Sequence, residues 1–150
     1  MKVFRISALK YADGLQASGI AARWNRKGQK VIYTSESRSL ACLENVVHRS
    51  KTGLNGLFNI LIIQIPETLK LEITDEKTLP ASWNKSDNYH DCQEIGSIWF
   101  SSGKTIILKV PSALVPQESN YILNTLHPDF QSIRLVDAEE FYFDSRFNSL

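Results

Sequence analysis

The segment from residue 19 to residue 44 reads Gly19-Ile20-Ala21-Ala22-Arg23-Trp24-Asn25, then Gly28, then Val31-Ile32-Tyr33-Thr34-Ser35, then Ser39-Leu40-Ala41-Cys42-Leu43-Glu44. The β-branched and aromatic run 31–34 lies between a glycine and a serine cluster, which predicts a short strand. A helix is expected next, capped by Ser35 or Ser37 and ending before Gly53. Its apolar residues recur at helical spacing; they are Leu40, Leu43 and Val47.

Glu44 holds an unusual position on this predicted helix. At about 100° per residue, it lies roughly 40° from Leu40 around the helix axis, beside the apolar stripe. A carboxylate on the core side is costly unless it is paired or exposed in a cleft. Two interpretations follow: Glu44 reaches solvent or pairs with Arg23, or it faces a functional cleft.

The rest of the chain predicts many short strands with one or two helices, which favours an α+β domain around a mixed sheet. The apolar run Asn59–Ile65 has the pattern of a strand buried on both faces. The other predicted strands are Lys2–Ile6, Ile98–Phe100, Thr105–Val110, Tyr121–Leu123, Ile133–Val136 and Phe141–Phe143. We interpret Leu79–Glu94 as a long loop whose candidate roles are a lid and a partner contact. We interpret Asp137–Glu140 as a solvated turn.

Composition places the chain among ordinary globular proteins. It has 150 residues, of which 43% are hydrophobic and 22% charged. These values argue against a disordered tail, a coiled-coil rod and a disulfide-scaffolded miniprotein, and the length suits a single domain over 1–150. Two cysteines without CxxC spacing, no secretory signal and no long apolar stretch predict a cytoplasmic protein with reduced thiols.

The near-neutral net charge of +1 conceals an asymmetry. Residues 1–60 contain ten Lys/Arg and three Asp/Glu, a net +7, whereas residues 61–150 contain seven and thirteen, a net −6. Either the two halves fold together and neutralise each other, or the first half lines a pocket for an anionic ligand. A surface for duplex DNA is disfavoured, because the domain is not strongly basic overall.

Two blocks of this sequence resemble the RES domain family, which is typically the toxin of a toxin–antitoxin pair. The first block is Ala22-Arg23-Trp24-Asn25 with Gly28, Tyr33-Thr34-Ser35 and Leu40-Ala41-Cys42-Leu43-Glu44; the second is Val110-Pro111-Ser112 with residues 120–130, Asn120 to Phe130. The blocks occur in the family's order and the resemblance covers nearly the whole chain. Ala22 and Thr125 depart from it, where many members have Gly and Pro.

The resemblance implies an ADP-ribosyltransferase-like α+β fold that binds and consumes NAD, with no metal. It also implies four site residues: Arg23 on the pyrophosphate or the nicotinamide-side ribose, Tyr33 stacked on nicotinamide, Glu44 stabilising the developing cation, and Ser112 bonding the ribose or orienting Glu44. In NAD⁺ the nicotinamide ring is a cationic pyridinium, and it leaves the ribose as a neutral amide. One carboxylate therefore suffices, unlike the pair used in ordinary glycoside hydrolysis.

Several functions stay open within this resemblance. The acceptor of the ADP-ribosyl group could be water, phosphate or a protein side chain, so a glycohydrolase, a phosphorylase and a protein-modifying ADP-ribosyltransferase are alternatives, and a catalytically silent partner-binding module is another. The implied partner is a helix-turn-helix antitoxin of the Xre type. The toxin would then contact DNA only through this antitoxin. No membrane partner is expected, and the sequence is compatible with a homo-oligomer.

Other residues capable of chemistry have simpler interpretations. Trp24 is expected in the core and Asn25 in a turn. The adjacent residues His90, Asp91 and Cys92 rarely coordinate one ion together, so no metal is expected there. His127 before a proline is interpreted as a turn residue.

Overall fold

A computed structural model describes residues 1–49 and 51–150 of the chain. Within this part, two α-helices accompany one seven-stranded sheet: β1 (Lys2–Ala8), β2 (Val31–Ser35), α1 (Arg38–His48), β3 (Phe58–Gln64), β4 (Leu71–Ile73), α2 (His90–Ser102), β5 (Ile107–Pro111), β6 (Ser119–Asn124) and β7 (Arg134–Phe141). The strand order is β4-β5-β6-β2-β1-β3-β7. The β4–β5 pair is parallel and the other pairs are antiparallel, which confirms the predicted α+β class with a mixed sheet.

The apolar runs form the centre of the sheet, as predicted. On β3, Leu61 and Ile63 belong to one core cluster, while Ile60 and Ile62 belong to another. Alternate residues of a strand point to opposite faces, so β3 is buried on both sides. The predicted strands at Lys2–Ile6, Val31–Thr34, Thr105–Val110 and Tyr121–Leu123 are confirmed, with ends that differ by at most two residues.

Helix α1 begins where the serine cluster allows. Ser37 is the cap, since its Oγ accepts a hydrogen bond of 3.0 Å from the backbone N–H of Leu40. Leu40 and Ala41 are buried, but Leu43 and Val47 are exposed. The helix therefore buries a narrower apolar face than its sequence suggests.

The prediction of a strand at Ile98–Phe100 is wrong, because these residues belong to α2, which also includes the end of the predicted loop Leu79–Glu94. Cys92, Gly96 and Trp99 are buried at helical spacing, while Ile98 is 63% exposed. Because several residues on the buried face of α2 are small, its sequence lacks the apolar residues at helical spacing that predict a helix.

The prediction of two strands, Ile133–Val136 and Phe141–Phe143, separated by a turn at Asp137–Glu140, is also wrong. Strand β7 runs through Arg134–Phe141 without interruption, with a bulge opposite Ile62 and Ile63. β7 is an edge strand, and charged side chains on such a strand discourage pairing with another chain. Its acidic residues therefore suit an edge as well as a turn.

Gly96 sets the approach of α2 to the segment that carries Arg23. A Cβ atom at position 96 would overlap the backbone carbonyl oxygen of Trp24. Only glycine lets α2 pack this closely against that segment. Among the described residues, no helix is both long and apolar enough to cross a membrane.

We predict that Gly96→Ala lowers the free energy of unfolding by about 1–3 kcal/mol, because the added methyl overpacks the contact with Trp24. This loss should occur although alanine favours a helix over glycine. Urea denaturation measures it, with Gly14→Ala as the matched control, since a Cβ at position 14 meets no atom within 4 Å. Equal stability of the two variants would contradict the packing role of Gly96.

Candidate active site

A cavity of about 570 Å³ opens between α1, the strands β1 and β2, and the loop of residues 79–89. This volume lies in the range of small-molecule sites. Arg23, Tyr33 and Glu44 all line the cavity. The structure thus brings three of the four predicted site residues to one space.

The carboxylate of Glu44 is held by neighbours from three parts of the chain. Its Oε1 accepts hydrogen bonds from Ser112 Oγ at 2.9 Å and from Asn120 Nδ2 at 2.7 Å. Its Oε2 lies 3.4 Å from Nε2 of His48, one helical turn further along α1. The side chain of Glu44 is 19% exposed, so it does not extend into solvent. Within the described residues, Glu44 also forms no ion pair with Arg23. The cleft interpretation of Glu44 fits this geometry.

Ser112, the fourth predicted site residue, lies behind Glu44. It is fully buried at the end of β5, and the described cavity lining does not include it. Its Oγ donates to Glu44 and accepts from the backbone N–H groups of Leu114 and Val115, at 3.1 and 3.2 Å. The hydroxyl is therefore oriented by the turn and directed at the carboxylate.

Two opposing effects act on the pKa of Glu44. Burial is the largest single effect and raises it, but the interactions with His48, Asn120 and Ser112 together lower it further than burial raises it. The pKa of Glu44 thus lies below its ordinary value, because these donors stabilise the charged form. At neutral pH the cavity wall carries an ionised carboxylate.

Arg23 is anchored to the loop 79–89. Its Nη1 donates to the backbone carbonyls of Trp83, Lys85 and Asn88 at 2.6, 3.1 and 3.3 Å. Its guanidinium stacks on the ring of Tyr89, with Cζ 4.4 Å from the ring centroid. In the described part of the chain, Arg23 has no carboxylate partner, so its charge is held by neutral groups.

Tyr33 is fixed through its hydroxyl. This group donates to Asn25 Oδ1 at 2.7 Å and accepts from the backbone N–H of Trp24 at 3.0 Å. Burial is the largest cause that raises the pKa of Tyr33 well above its usual value, so the phenol stays neutral. Tyr33 can therefore offer an aromatic face but not a basic oxygen.

Trp24 and Asn25 have the structural roles expected of them. Trp24 is 3% exposed and packs against Trp83, with ring centroids 6.2 Å apart. Asn25 is buried, and its Nδ2 donates to the carbonyls of Ile20, Arg26 and Gln29. These contacts fix the segment on which Arg23 lies.

The histidine and cysteine candidates lie outside the cavity lining. His127 Nδ1 accepts from the backbone N–H of Asp129 at 3.2 Å, which is the turn role expected of it. Cys92 is buried, whereas His90 is exposed. Across residues 1–49 and 51–150, no group of three or more His, Cys, Asp or Glu side chains could hold a metal ion.

Sequence reasoning missed three residues that complete this site. Asn120 lies in a block quoted for the resemblance, so its motif was available as a signal. His48 follows Glu44 at helical spacing, and this too could be read from the sequence. Tyr89 contacts Arg23 across 66 residues, and no local pattern announces such a contact.

Fold and site together define a class: an α+β protein whose cavity is lined by an oriented, ionised carboxylate, an arginine and a tyrosine. Such a site can bind an anionic ligand and stabilise a positive charge that develops within it. It can do so with a single acidic residue from the described lining, Glu44.

The RES domain family model matches residues 2–144. "Toxin Res" of Photorhabdus laumondii subsp. laumondii is 39% identical over 151 residues, covering 97% of this chain and 96% of that protein. "Prs ADP-ribosylating toxin" of Sphingobium sp. is 34% identical over 140 residues, covering 90% of this chain and 87% of that protein. The chain belongs to the RES domain family and is a toxin of that family.

A solved structure supports the fold. A chain of the M. tuberculosis MbcT-MbcA toxin-antitoxin complex matches with a TM-score of 0.78, covering 99% of this chain and 86% of that chain. The sequence identity is 14%, so this likeness concerns the arrangement of strands and helices alone.

We predict that Ser112→Ala and Asn120→Leu each raise the pKa of Glu44, because each removes a donor that stabilises the carboxylate. Carboxyl titration by NMR should show protonation of Glu44 at higher pH in both variants. Ser86→Ala is the control, since Ser86 lines the cavity without a hydrogen bond to Glu44 among the described contacts. An unchanged titration in both variants would disprove the holding role of Ser112 and Asn120.

Proposed function

We propose that this toxin is an enzyme that consumes NAD⁺ by cleaving the bond between nicotinamide and ribose. The observation that carries the proposal is the ionised Glu44 carboxylate, fixed by Ser112 and Asn120 on the wall of a cavity that also contains Arg23. The name of the Sphingobium relative, an ADP-ribosylating toxin, supports chemistry at this bond.

Cleavage breaks the C1′–N bond, and its electron pair passes to the nicotinamide nitrogen. The pyridinium thereby leaves as a neutral amide, so no general acid is required. The ribose becomes an oxocarbenium ion, which the carboxylate of Glu44 stabilises by its charge. An acceptor then bonds to C1′ and releases its proton to solvent or to Glu44.

The other site residues position the substrate and the carboxylate. Ser112 is a positioning residue, since its hydroxyl donates a hydrogen bond to the Glu44 carboxylate and does not itself line the cavity. Tyr33 offers a neutral ring for nicotinamide to stack on. The hydrogen bonds of Arg23 within the described residues all use Nη1. The other N–H groups of its guanidinium therefore donate to the pyrophosphate or to the ribose next to nicotinamide.

Transfer of ADP-ribose to a protein is the second candidate function. The name of the Sphingobium relative, an ADP-ribosylating toxin, favours this function specifically. It uses the same NAD site, and only the acceptor differs. The catalytically silent module is disfavoured, because Arg23, Tyr33, Glu44 and Ser112 are all present.

We further propose an antitoxin partner of the Xre helix-turn-helix type, which covers the cleft and mediates any contact with DNA. The likeness to a chain of a toxin-antitoxin complex supports such a partner. A toxin that consumes NAD would act in the cytoplasm, as a single RES domain over residues 1–150. Co-expression with a small helix-turn-helix protein from the neighbouring reading frame should relieve toxicity and yield a stable complex.

Glu44→Gln should reduce NAD⁺ cleavage by at least about a hundredfold, because the amide retains the shape but not the charge that stabilises the oxocarbenium ion. Release of nicotinamide from NAD⁺ measures the rate. Glu36→Gln, an exposed glutamate before α1, should retain wild-type activity. Full activity of a folded Glu44→Gln variant would refute the proposed function.

Product analysis identifies the acceptor. Incubation with adenylate-labelled NAD⁺, with and without phosphate, should release free nicotinamide and a labelled small molecule if water or phosphate is the acceptor. Label bound to protein would instead establish the ADP-ribosyltransferase alternative. Mass spectrometry separates ADP-ribose from its phosphorylated form.

A further inference from the structure

Two further arginines border the cavity without a described acidic partner. Arg5 lies in the middle of β1, and its Nη1 donates to the backbone carbonyl of Tyr33 at 3.0 Å. Arg49 follows the last residue of α1, and its Nε donates to Asn45 Oδ1 at 3.0 Å. Its guanidinium lies 4.7 Å from the ring centroid of Phe58. Neutral groups thus hold both arginines in place.

These two arginines mark the junction of two cavities. A second cavity, of about 480 Å³, shares Arg5, Ile6 and Arg49 with the first. Lys10 adds another cation to its lining, and no aspartate or glutamate from the described residues lines it. Tyr11, 53% exposed, provides an aromatic surface there.

The cationic junction is electrostatically unfavourable by itself. Burial lowers the pKa of both arginines, and the charge of Arg49 lowers the pKa of Arg5 further. Like charges in a partly buried site repel each other unless an anion compensates them. An anionic ligand at this junction would remove that cost and use the fork of donors that a guanidinium presents to phosphate.

We propose that Arg5 and Arg49 bind the diphosphate of a nucleotide that spans both cavities. The ribose that carries the reacting bond lies beside Glu44, and the adenosine lies in the second cavity against Tyr11. This inference rests on the proposed function and deepens it. It assigns the diphosphate to a pair of arginines and leaves Arg23 to the nicotinamide-side ribose.

Calorimetric titration with ADP tests the subsite without requiring any reaction. Arg49→Gln and Arg5→Gln should each weaken ADP binding about tenfold to a hundredfold, because each removes charge-assisted hydrogen bonds to phosphate. Arg5→Lys keeps the charge but loses the fork, so its affinity should fall between Arg5→Gln and wild type. Arg146→Gln is the matched control, since that exposed arginine is paired with Asp144. Thermal unfolding verifies that each variant folds.

The nucleoside half of the proposal has its own measurement. ADP should bind more tightly than inorganic pyrophosphate, and Tyr11→Ser should reduce that difference because it removes the stacking surface. In the cleavage assay, Arg49→Gln should raise KM for NAD⁺ more than it lowers kcat. Equal affinity for ADP and pyrophosphate would place the nucleoside elsewhere.

The outcomes separate this proposal from the proposed function. If NAD⁺ is not cleaved but ADP binding is lost in Arg49→Gln and Arg5→Gln, the diphosphate subsite stands without the reaction. If NAD⁺ is cleaved while both variants keep the wild-type KM and ADP affinity, the subsite is refuted. Absence of ADP binding to the wild-type protein also refutes it.

Discussion

The hydrogen bonds that hold Glu44 are the constraint on which the site depends. Glu44 lies on α1, whereas Ser112 and Asn120 lie 68 and 76 residues further along the chain, at the end of β5 and on β6. A partly buried carboxylate without these donors would cost about 1–3 kcal/mol of unmet hydrogen bonding. The same contacts connect α1 to β6 and to the residue that follows β5, and so they contribute to the position of this wall of the cavity.

The charge asymmetry of the sequence is neutralised at some residues by ion pairs between the two halves, whereas other basic residues of the first half line the cavities. Arg26 pairs with Glu94 and Arg38 with Glu139, so part of the basic first half is neutralised by the acidic second half. Arg5, Arg23 and Arg49 line the cavities, and no ion pair within the described residues includes them. Part of the surplus positive charge of the first half therefore lies at the cavities.

Prediction from the sequence succeeded where a run of apolar residues is buried on both faces of a strand. It failed where small or acidic residues interrupt the apolar pattern of a helix or strand. The apolar run of β3 identified a central strand because both of its faces are buried, and the serine cluster limited the cap of α1 to two residues. Helix α2 was missed because Gly96 and Ser97 occupy its buried face, and β7 because acidic residues suit edge strands and turns alike. In the site, the angle of Glu44 on the helix left two interpretations open and the resemblance to the RES domain assigned it to the site, but the partner of Arg23, Tyr89, depends on tertiary packing alone.

The proposed reaction places opposite electrostatic demands on the site, which has to stabilise a developing cation and also bind a diphosphate. An ion pair between Glu44 and Arg23 would cancel the negative charge that the proposed cation needs and would occupy the donors that Arg23 offers to the proposed ribose. The structure instead holds Glu44 with the neutral groups of Ser112 and Asn120, with His48 adding charge only when protonated, and holds Arg23 with backbone carbonyls. Hydrogen bonds from neutral dipoles fix a charged group without neutralising it. Each charge therefore remains available to the cavity, and in the proposed reaction a second carboxylate there would repel the diphosphate without aiding the departure of nicotinamide, which leaves the cationic pyridinium state as a neutral amide.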